Sequence, residues 1–71
     1  MPIVIAPQDV ELNIVKILVN DDKTKKHLES LGIIQNGKIR IVSVHNGNAI
    51  VVVKGVRLGL NSDIAKKILV A

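Results

Sequence analysis

The sequence contains no cysteine and none of the aromatic residues Phe, Tyr and Trp. Without cysteine, neither disulfide bonds nor thiolate-bound metals can hold the fold together, so burial of apolar side chains must do so. Without aromatic residues, the chain cannot line a proline-rich peptide groove in the way of SH3 and WW domains. It also cannot stack nucleic-acid bases on aromatic rings, as RNA-recognition sheets and many single-strand-binding barrels do.

Aliphatic side chains supply the core instead. The 71 residues are 48% hydrophobic, almost all Val, Ile and Leu. A chain of this length buries only about 60% of its unfolded surface, and we expect one domain spanning residues 1–71. Ten Lys or Arg and six Asp or Glu give a net charge of +4, spread along the chain as on a solvated surface. The start MPIVIAPQ has no basic region, and no apolar run approaches the roughly 20 residues of a membrane span. We therefore expect a cytoplasmic protein.

The first half of the chain changes from strand periodicity to helix periodicity. The segment VELNIVKILV, residues 10–19, alternates apolar and polar residues and then shifts phase, which a bulge, a bend or burial of both faces would explain. The segment NDDKTKKHLESLG, residues 20–32, begins with helix-capping residues. It places Thr24, Leu28 and Leu31 on one stripe, which predicts a short amphipathic helix.

Glycine and asparagine residues divide the remainder into short segments. The sequence QNG at 35–37 predicts a turn with positive φ at its asparagine, its glycine or both. The sequence HNGN at 45–48 predicts a hairpin, and Gly55 predicts a bend or bulge. We assign structural turn roles to Gly32, Asn36, Gly37, Gly47, Gly55 and Gly59.

The last third contains another strand pattern and a capped helical turn. Alternation places Val56, Leu58 and Leu60 toward the core. The segment NSDIAKKI, residues 61–68, predicts one helical turn, followed by a closing strand. The order is strand, short helix, three strands, single turn and strand. It predicts a mainly β fold with one short α-helix, arranged as a small, partly open SH3-like barrel of about five strands.

No residue pattern indicates catalysis or metal binding. His27 and His45 have no second ligand at a metal-binding spacing, and Asp21 and Asp22 stand where helix caps are expected. The match to GxxxxGK at residues 32–38 is not a phosphate loop. It lacks the following Ser or Thr, and it joins a helix to a strand rather than a strand to a helix. We expect no enzyme activity, no catalytic residue, no metal site and no cofactor.

Almost the whole chain resembles the FeoA family, the small cytosolic proteins of bacterial and archaeal ferrous-iron uptake. The resemblance is strongest in KTKKHLESLGI and continues through KIRIVSV, GNAIVVVKG and VRLGLNSDIAKKILV. Gln35-Asn36 stands where the family often has Pro-Gly, and asparagine tolerates the same left-handed backbone. The resemblance implies an SH3-like barrel and an accessory or regulatory role in ferrous-iron transport.

The same resemblance implies a partner, the FeoB-like membrane transporter with its cytosolic G domain. Two other readings stay open. The chain could be an SH3-like domain related to the C-terminal domain of iron-dependent transcriptional repressors, or a general interaction module. With no helix-turn-helix and no aromatic platform, we expect no specific binding to nucleic acid. We expect contact with the membrane only through the partner, and weak self-association stays open.

The resemblance transfers no catalytic residue, so the partner surface has to be sought among polar residues expected at the surface. A mixed-charge helix face can steer docking without large affinity, although such faces are more often simply solvated. The hairpin tip is the second candidate. The residues assigned to partner binding are Lys25, Lys26 and Glu29 on the helix and His45, Asn46 and Asn48 at the hairpin.

Overall fold

The computed structural model describes residues 1–71. A 3₁₀ turn, Ile3–Ile5, precedes the first strand. The strands are β1 (Glu11–Ile17), β2 (Lys38–His45), β3 (Asn48–Val53), β4 (Val56–Leu60) and β5 (Ile68–Val70), and the helices are α1 (Asp22–Ser30) and α2 (Ser62–Ala65). All five strands form one antiparallel sheet in the order β4-β3-β2-β1-β5. The predicted fold class, mainly β with one short helix and five strands, is confirmed.

Two tight hairpins join β2, β3 and β4, which form one side of the sheet. Asn46 and Gly47 join β2 to β3 with φ values of 52° and 80°, the positive pair that a type I′ turn requires. Lys54 and Gly55 join β3 to β4 with φ values of 51° and 76°. The predicted bend or bulge at Gly55 is therefore the turn of a second two-residue hairpin. This hairpin was not predicted from the sequence because lysine rarely adopts positive φ.

Register shifts bend the two longest strands. The pairing of β1 with β5 shifts between Ile14 and Lys16, which accounts for the phase change in the sequence pattern of β1. The pairing of β2 with β3 shifts between Ile41 and Ser43. Such shifts increase the local twist, so each strand turns a different set of side chains to the core along its length.

Helix α1 is defined at both ends by backbone chemistry. The carboxylate of Asp21 accepts a hydrogen bond from the Thr24 backbone N–H at 3.0 Å. At the other end, Gly32 has a φ of 91°. The Gly32 N–H donates to the Glu29 carbonyl at 3.0 Å, and the Ile33 N–H donates to the Leu28 carbonyl at 2.9 Å, as in a Schellman motif. The buried side chains of Leu28 and Ile33 anchor this end in the core.

The core is entirely aliphatic. Its sixteen buried side chains are all Ala, Val, Leu or Ile, drawn from every strand, both helices and the N-terminal turn. The prediction that Leu60 faces inward is correct, but Val56 is 56% exposed and Leu58 is only half-buried. Val56 does lie on the core face, opposite buried Val53. It is open to solvent because β4 is the outermost strand and nothing packs beyond it.

One of the six residues assigned to turns lies elsewhere. Gly59 is inside β4, paired with Ile50, and is exposed. A second assignment has a different physical basis from the one expected. Asn36 alone carries the positive φ of its turn, at 70°, while Gly37 is not in the left-handed region. No helix is both long and apolar enough to cross a membrane.

Candidate functional site

Two grooves in the surface meet at one exposed aliphatic side chain, Ile34. The larger has a volume of 470 Å³ and crosses the outer face of the sheet from the α1–β2 connection to the β3–β4 turn. The smaller has a volume of 330 Å³ and lies between α1 and the end of β1. Ile34 lines both grooves and is 41% exposed. We call these two grooves with Ile34 between them the Ile34 surface.

The position of Ile34 is fixed by its backbone. The Gly37 N–H donates to the Ile34 carbonyl at 3.0 Å and closes a four-residue turn, with positive φ at Asn36 as in a type II turn. Two further hydrogen bonds tie this turn to the middle of β1. The Asn36 N–H donates to the Ile14 carbonyl, and the Ile14 N–H donates to the Gly37 carbonyl, each at 2.8 Å. This hydrogen-bonded turn therefore holds the apolar side chain of Ile34 outside the core.

The Ile34 surface is predominantly cationic. The charged residues that line it are Lys16, Lys25, Lys38, Arg40 and Lys54, against Glu11 and Glu29. None of the seven forms an ion pair, since the chain's single salt bridge joins Lys66 to Asp63 at 3.6 Å elsewhere. Lys38 donates a hydrogen bond to the side-chain oxygen of Asn13. Five cations and two anions leave a net positive charge around an apolar centre.

The larger groove also depends on close packing around Gly32. A Cβ atom on this residue would lie 3.1 Å from a side-chain methyl of Val53 and 3.2 Å from the Lys54 side chain. Gly32 therefore lets the β3–β4 turn approach the end of α1. That approach brings Lys54, which is distant in sequence, to the same groove as Lys38 and Ile34.

The structure separates the six residues that were assigned to partner binding. Lys25 and Glu29 line the smaller groove, whereas Lys26 lies on the same helix but outside both grooves. The three hairpin residues are not part of the Ile34 surface. Asn48 accepts a hydrogen bond from the Ser62 N–H at 2.9 Å, so its side chain joins the hairpin to α2.

Sequence reasoning missed Ile34, because aliphatic residues in this chain are normally core residues. The available signal was its place between two turn-forming segments, two residues after the glycine that ends α1. The lysines that surround it come from β1, α1, β2 and the β3–β4 turn. Only the fold brings them together.

The other titratable groups do not form a second centre. No group of three or more His, Asp or Glu side chains lies close enough to hold a metal ion. Hydrogen bonds from the Thr24 hydroxyl and the Thr24 N–H hold the pKa of Asp21 below its usual value of 3.8, as expected for a helix cap. The surface that stands out is thus suited to recognition, with an apolar contact at its centre and cations around it.

Comparison with known proteins gives one match at the family level. The model of the FeoA domain matches residues 1–71, the whole sequence. A search for similar sequences among curated proteins found no match.

Solved structures share the fold at low sequence identity. Iron(II) transport protein A from Clostridium thermocellum superposes with a TM-score of 0.81 at 21% identity, over 99% of this chain and 44% of the other. The FeoA protein of Stenotrophomonas maltophilia, described as a prokaryotic SH3 domain protein and solved with zinc, gives a TM-score of 0.73 at 22% identity. That match covers 100% of this chain and 89% of the other. ScaR with bound Zn²⁺ gives 0.82 at 18% identity, over 99% of this chain and 35% of the other. The chain thus spans less than half of the first and third of these proteins.

Proposed function

The chain belongs to the FeoA domain family, and on that premise we propose that it is an accessory protein of ferrous-iron transport. It acts in the cytoplasm by docking on the cytosolic G domain of a FeoB-like transporter. Two similar structures support the iron-transport part. One is named iron(II) transport protein A, and the other is described as a candidate activating factor of bacterial ferrous-iron transport. The role is one of contact and regulation, not of catalysis.

The observation that carries the proposal is the Ile34 surface. In protein interfaces, a few side chains near the centre commonly carry most of the binding energy, and the contacts around them exclude water. Ile34 is such an anchor, held by a hydrogen-bonded turn, and five cations surround it. The partner surface that fits it has an apolar recess flanked by carboxylates. Charge of this kind raises the association rate at low salt and fixes orientation more than it adds affinity.

The two adjacent lysines of α1 provide a matched pair of variants for the experiment. Lys25→Glu reverses a charge inside the smaller groove, and Lys26→Glu makes the same change one residue away, outside it. The purified G domain is titrated with labelled chain at low and moderate salt. We expect Lys25→Glu to weaken binding by about tenfold at low salt and less at moderate salt. Equal effects of the two variants would show that only overall charge matters.

A second pair tests the apolar anchor. Ile34→Ser removes the exposed side chain at the centre of the surface, and Ile5→Ser removes one that is 71% exposed in the N-terminal turn. We expect Ile34→Ser to weaken the complex by about 1–3 kcal/mol and Ile5→Ser to leave it unchanged. Melting curves of both variants confirm that each is folded. If the parent chain does not bind the G domain at all, the proposed partner is wrong.

One comparison favours a second candidate function. Because the same fold makes up 35% of the longer ScaR chain, such a domain also occurs as a part of proteins built differently. A domain related to the C-terminal domain of iron-dependent repressors would contact a DNA-binding protein instead of a transporter. Pull-down with the tagged chain distinguishes the two, since the first function retrieves a G-protein transporter and the second a DNA-binding protein.

A further inference from the structure

The two edge strands of the sheet, β5 and β4, differ in whether another segment of the chain pairs with their outer side. At the β5 edge, the N-terminal residues take the place of another strand. The Val70 N–H donates to the Met1 carbonyl at 2.7 Å, the Met1 amino group donates to the Val70 carbonyl at 2.8 Å, and Pro2 bridges to Leu69. At the β4 edge, no segment of the chain plays this part. One edge is covered and the other is bare.

The register of the β3–β4 hairpin shows which backbone groups are free. Val53 pairs with Val56 across the two-residue turn, and the pairing continues to Ala49 and Leu60 without a shift. In an antiparallel hairpin closed by such a turn, every second pair exchanges hydrogen bonds, starting at the turn. The N–H and C=O groups of the intervening β4 residues, Arg57 and Gly59, therefore point away from β3. Neither residue takes part in any of the 19 backbone hydrogen bonds made outside helices and strands.

The side chains of β4 leave this edge accessible. Gly59 has no side chain, and even a Cβ atom added there would have no neighbour nearer than 3.9 Å. On the core face, Val56 is 56% exposed and Leu58 is half-buried, so both have apolar surface left to cover. On the outer face, Arg57 is exposed and has no ion-pair partner.

From these observations we propose that β4 accepts an extended acidic peptide as a sixth strand of the sheet. The peptide backbone pairs with the free groups of Arg57 and Gly59. Alternate apolar side chains of the peptide cover Val56 and Leu58, and the intervening carboxylates lie beside Arg57. This is strand addition, in which backbone hydrogen bonds give affinity and alternate side chains give specificity. Arg57 and Gly59 lie beside the Ile34 surface but do not line it, and the proposal does not depend on the transporter partner.

Charge favours a peptide over a second copy of the chain. The strand VRLGL contains no acidic residue, so β4 of another copy offers nothing of opposite charge to Arg57. The outer face next to β4 is also basic, since Val52 lies between Arg57 and Arg40 in one cross-strand row, and the acidic Glu11 stands only at the far end of that row. The net charge of +4 opposes self-association further. A basic residue on an edge strand discourages pairing between copies, and the same residue selects an acidic strand.

The test uses synthetic peptides and amide hydrogen exchange. Three peptides of equal length alternate valine with glutamate, with lysine or with serine, and each is titrated into the ¹⁵N-labelled chain. We expect the glutamate peptide to bind about tenfold more tightly than the serine peptide at low salt, and the lysine peptide to bind more weakly than both. Binding should slow exchange of the Arg57 and Gly59 amides, which are open to water in the free chain. If none of the three peptides protects these two amides, the proposal is overturned.

Two variants separate backbone pairing from charge. Gly59→Pro removes an N–H that points outward, so the β3–β4 ladder stays intact while strand addition loses a donor. We expect it to weaken the glutamate peptide by about tenfold or more, with Gly59→Ala as the folded control. Arg57→Glu should reverse the preference from the glutamate to the lysine peptide. An unchanged preference in this variant contradicts the charge assignment.

The oligomeric state of the free chain is measured by sedimentation over a concentration series, and amide exchange is measured at the same concentrations. A monomer with fast exchange at Arg57 and Gly59 is the expected result. A dimer in which these two amides become protected as concentration rises would show that the edge belongs to a second copy, and the acidic-peptide proposal would be wrong.

Discussion

The backbone carbonyl of Ile34 lies 3.0 Å from the position that a Cβ atom would occupy on Gly37, and it accepts the hydrogen bond of the Gly37 N–H. This close approach, and not a left-handed backbone, favours glycine at position 37. We expect Gly37→Ala to destabilise the fold by about 1–3 kcal/mol, because the turn must shift to admit the methyl group. Chemical denaturation measures the loss of stability. The control is Gly59→Ala, at an open site, which we expect to change the stability by less than about 0.5 kcal/mol.

Asn36 has the opposite requirement, since its φ of 70° is what the turn needs. Asn36→Val should cost about 1–3 kcal/mol, because a β-branched residue resists this conformation. Asn36→Gly is the matched control and should keep the stability close to that of the parent. An unchanged denaturation midpoint for the valine variant would show that the turn can relax.

The stability of the fold depends on pH in the acid range through Asp21, the N-cap of α1. The Thr24 hydroxyl and N–H hold the pKa of Asp21 below its usual 3.8, so the ionised carboxylate is favoured in the folded state. Its stabilisation is complete above about pH 5 and is lost as the pH falls through the pKa of the folded chain. Asp21→Asn keeps an acceptor but no charge. We expect its Tm to be lower than the parent's at pH 7, and the difference to shrink as the pH falls below 3.8 and through the pKa of the folded chain. A gap that does not close on acidification would assign the effect to geometry alone.

Folding is predicted not to need a metal ion. No three His, Asp or Glu side chains lie together, and the aliphatic core is continuous across the sheet and both helices. Melting curves recorded with a chelator and with equimolar ferrous iron under anaerobic conditions should coincide. A rise in Tm of several degrees with one equivalent of iron would reveal a site that these residues do not suggest.

Nucleic-acid binding is predicted to be weak and insensitive to sequence. The lysines around Ile34 can contact phosphates, but no aromatic platform or reading helix is present. Anisotropy with labelled duplexes should give Kd values of about 10⁻⁴–10⁻⁶ M that rise steeply with salt and do not differ between sequences. A salt-resistant, sequence-selective complex would favour the repressor-related function over transport.

The parts of the fold that could be predicted from the sequence are those set by local chemistry. Asn46-Gly47 indicated a hairpin because both residues tolerate positive φ, and Gly32 indicated the end of α1 for the same reason. The hairpin at Lys54-Gly55 was predicted only as a bend or bulge. Its lysine takes positive φ because the pairing of β3 with β4 requires it. Tertiary structure overrides the preference of a single residue in such places.

The candidate site was less predictable than the fold. Lys25 and Glu29 were singled out from the helix pattern and do line a groove, but Lys26 looked equivalent in sequence. Exposure of Val56 and Ile34 has a common reason. Each is an aliphatic residue next to a turn, and the sequence does not show whether another element will cover it. Whether an element packs over such a residue depends on the order of the strands, and that order is set by long-range pairing.

The composition of the core has a practical consequence for magnetic resonance. All sixteen core side chains are aliphatic, and the chain has no Phe, Tyr or Trp. Its only rings, the imidazoles of His27 and His45, are exposed, so no buried ring current spreads the core methyl resonances. The same composition makes the protein silent to tryptophan and tyrosine fluorescence. Any tryptophan or tyrosine fluorescence of a complex then comes from the partner alone. A partner ring that settled on Ile34 would displace that methyl resonance from an otherwise narrow envelope, so the residue reports directly on what binds it.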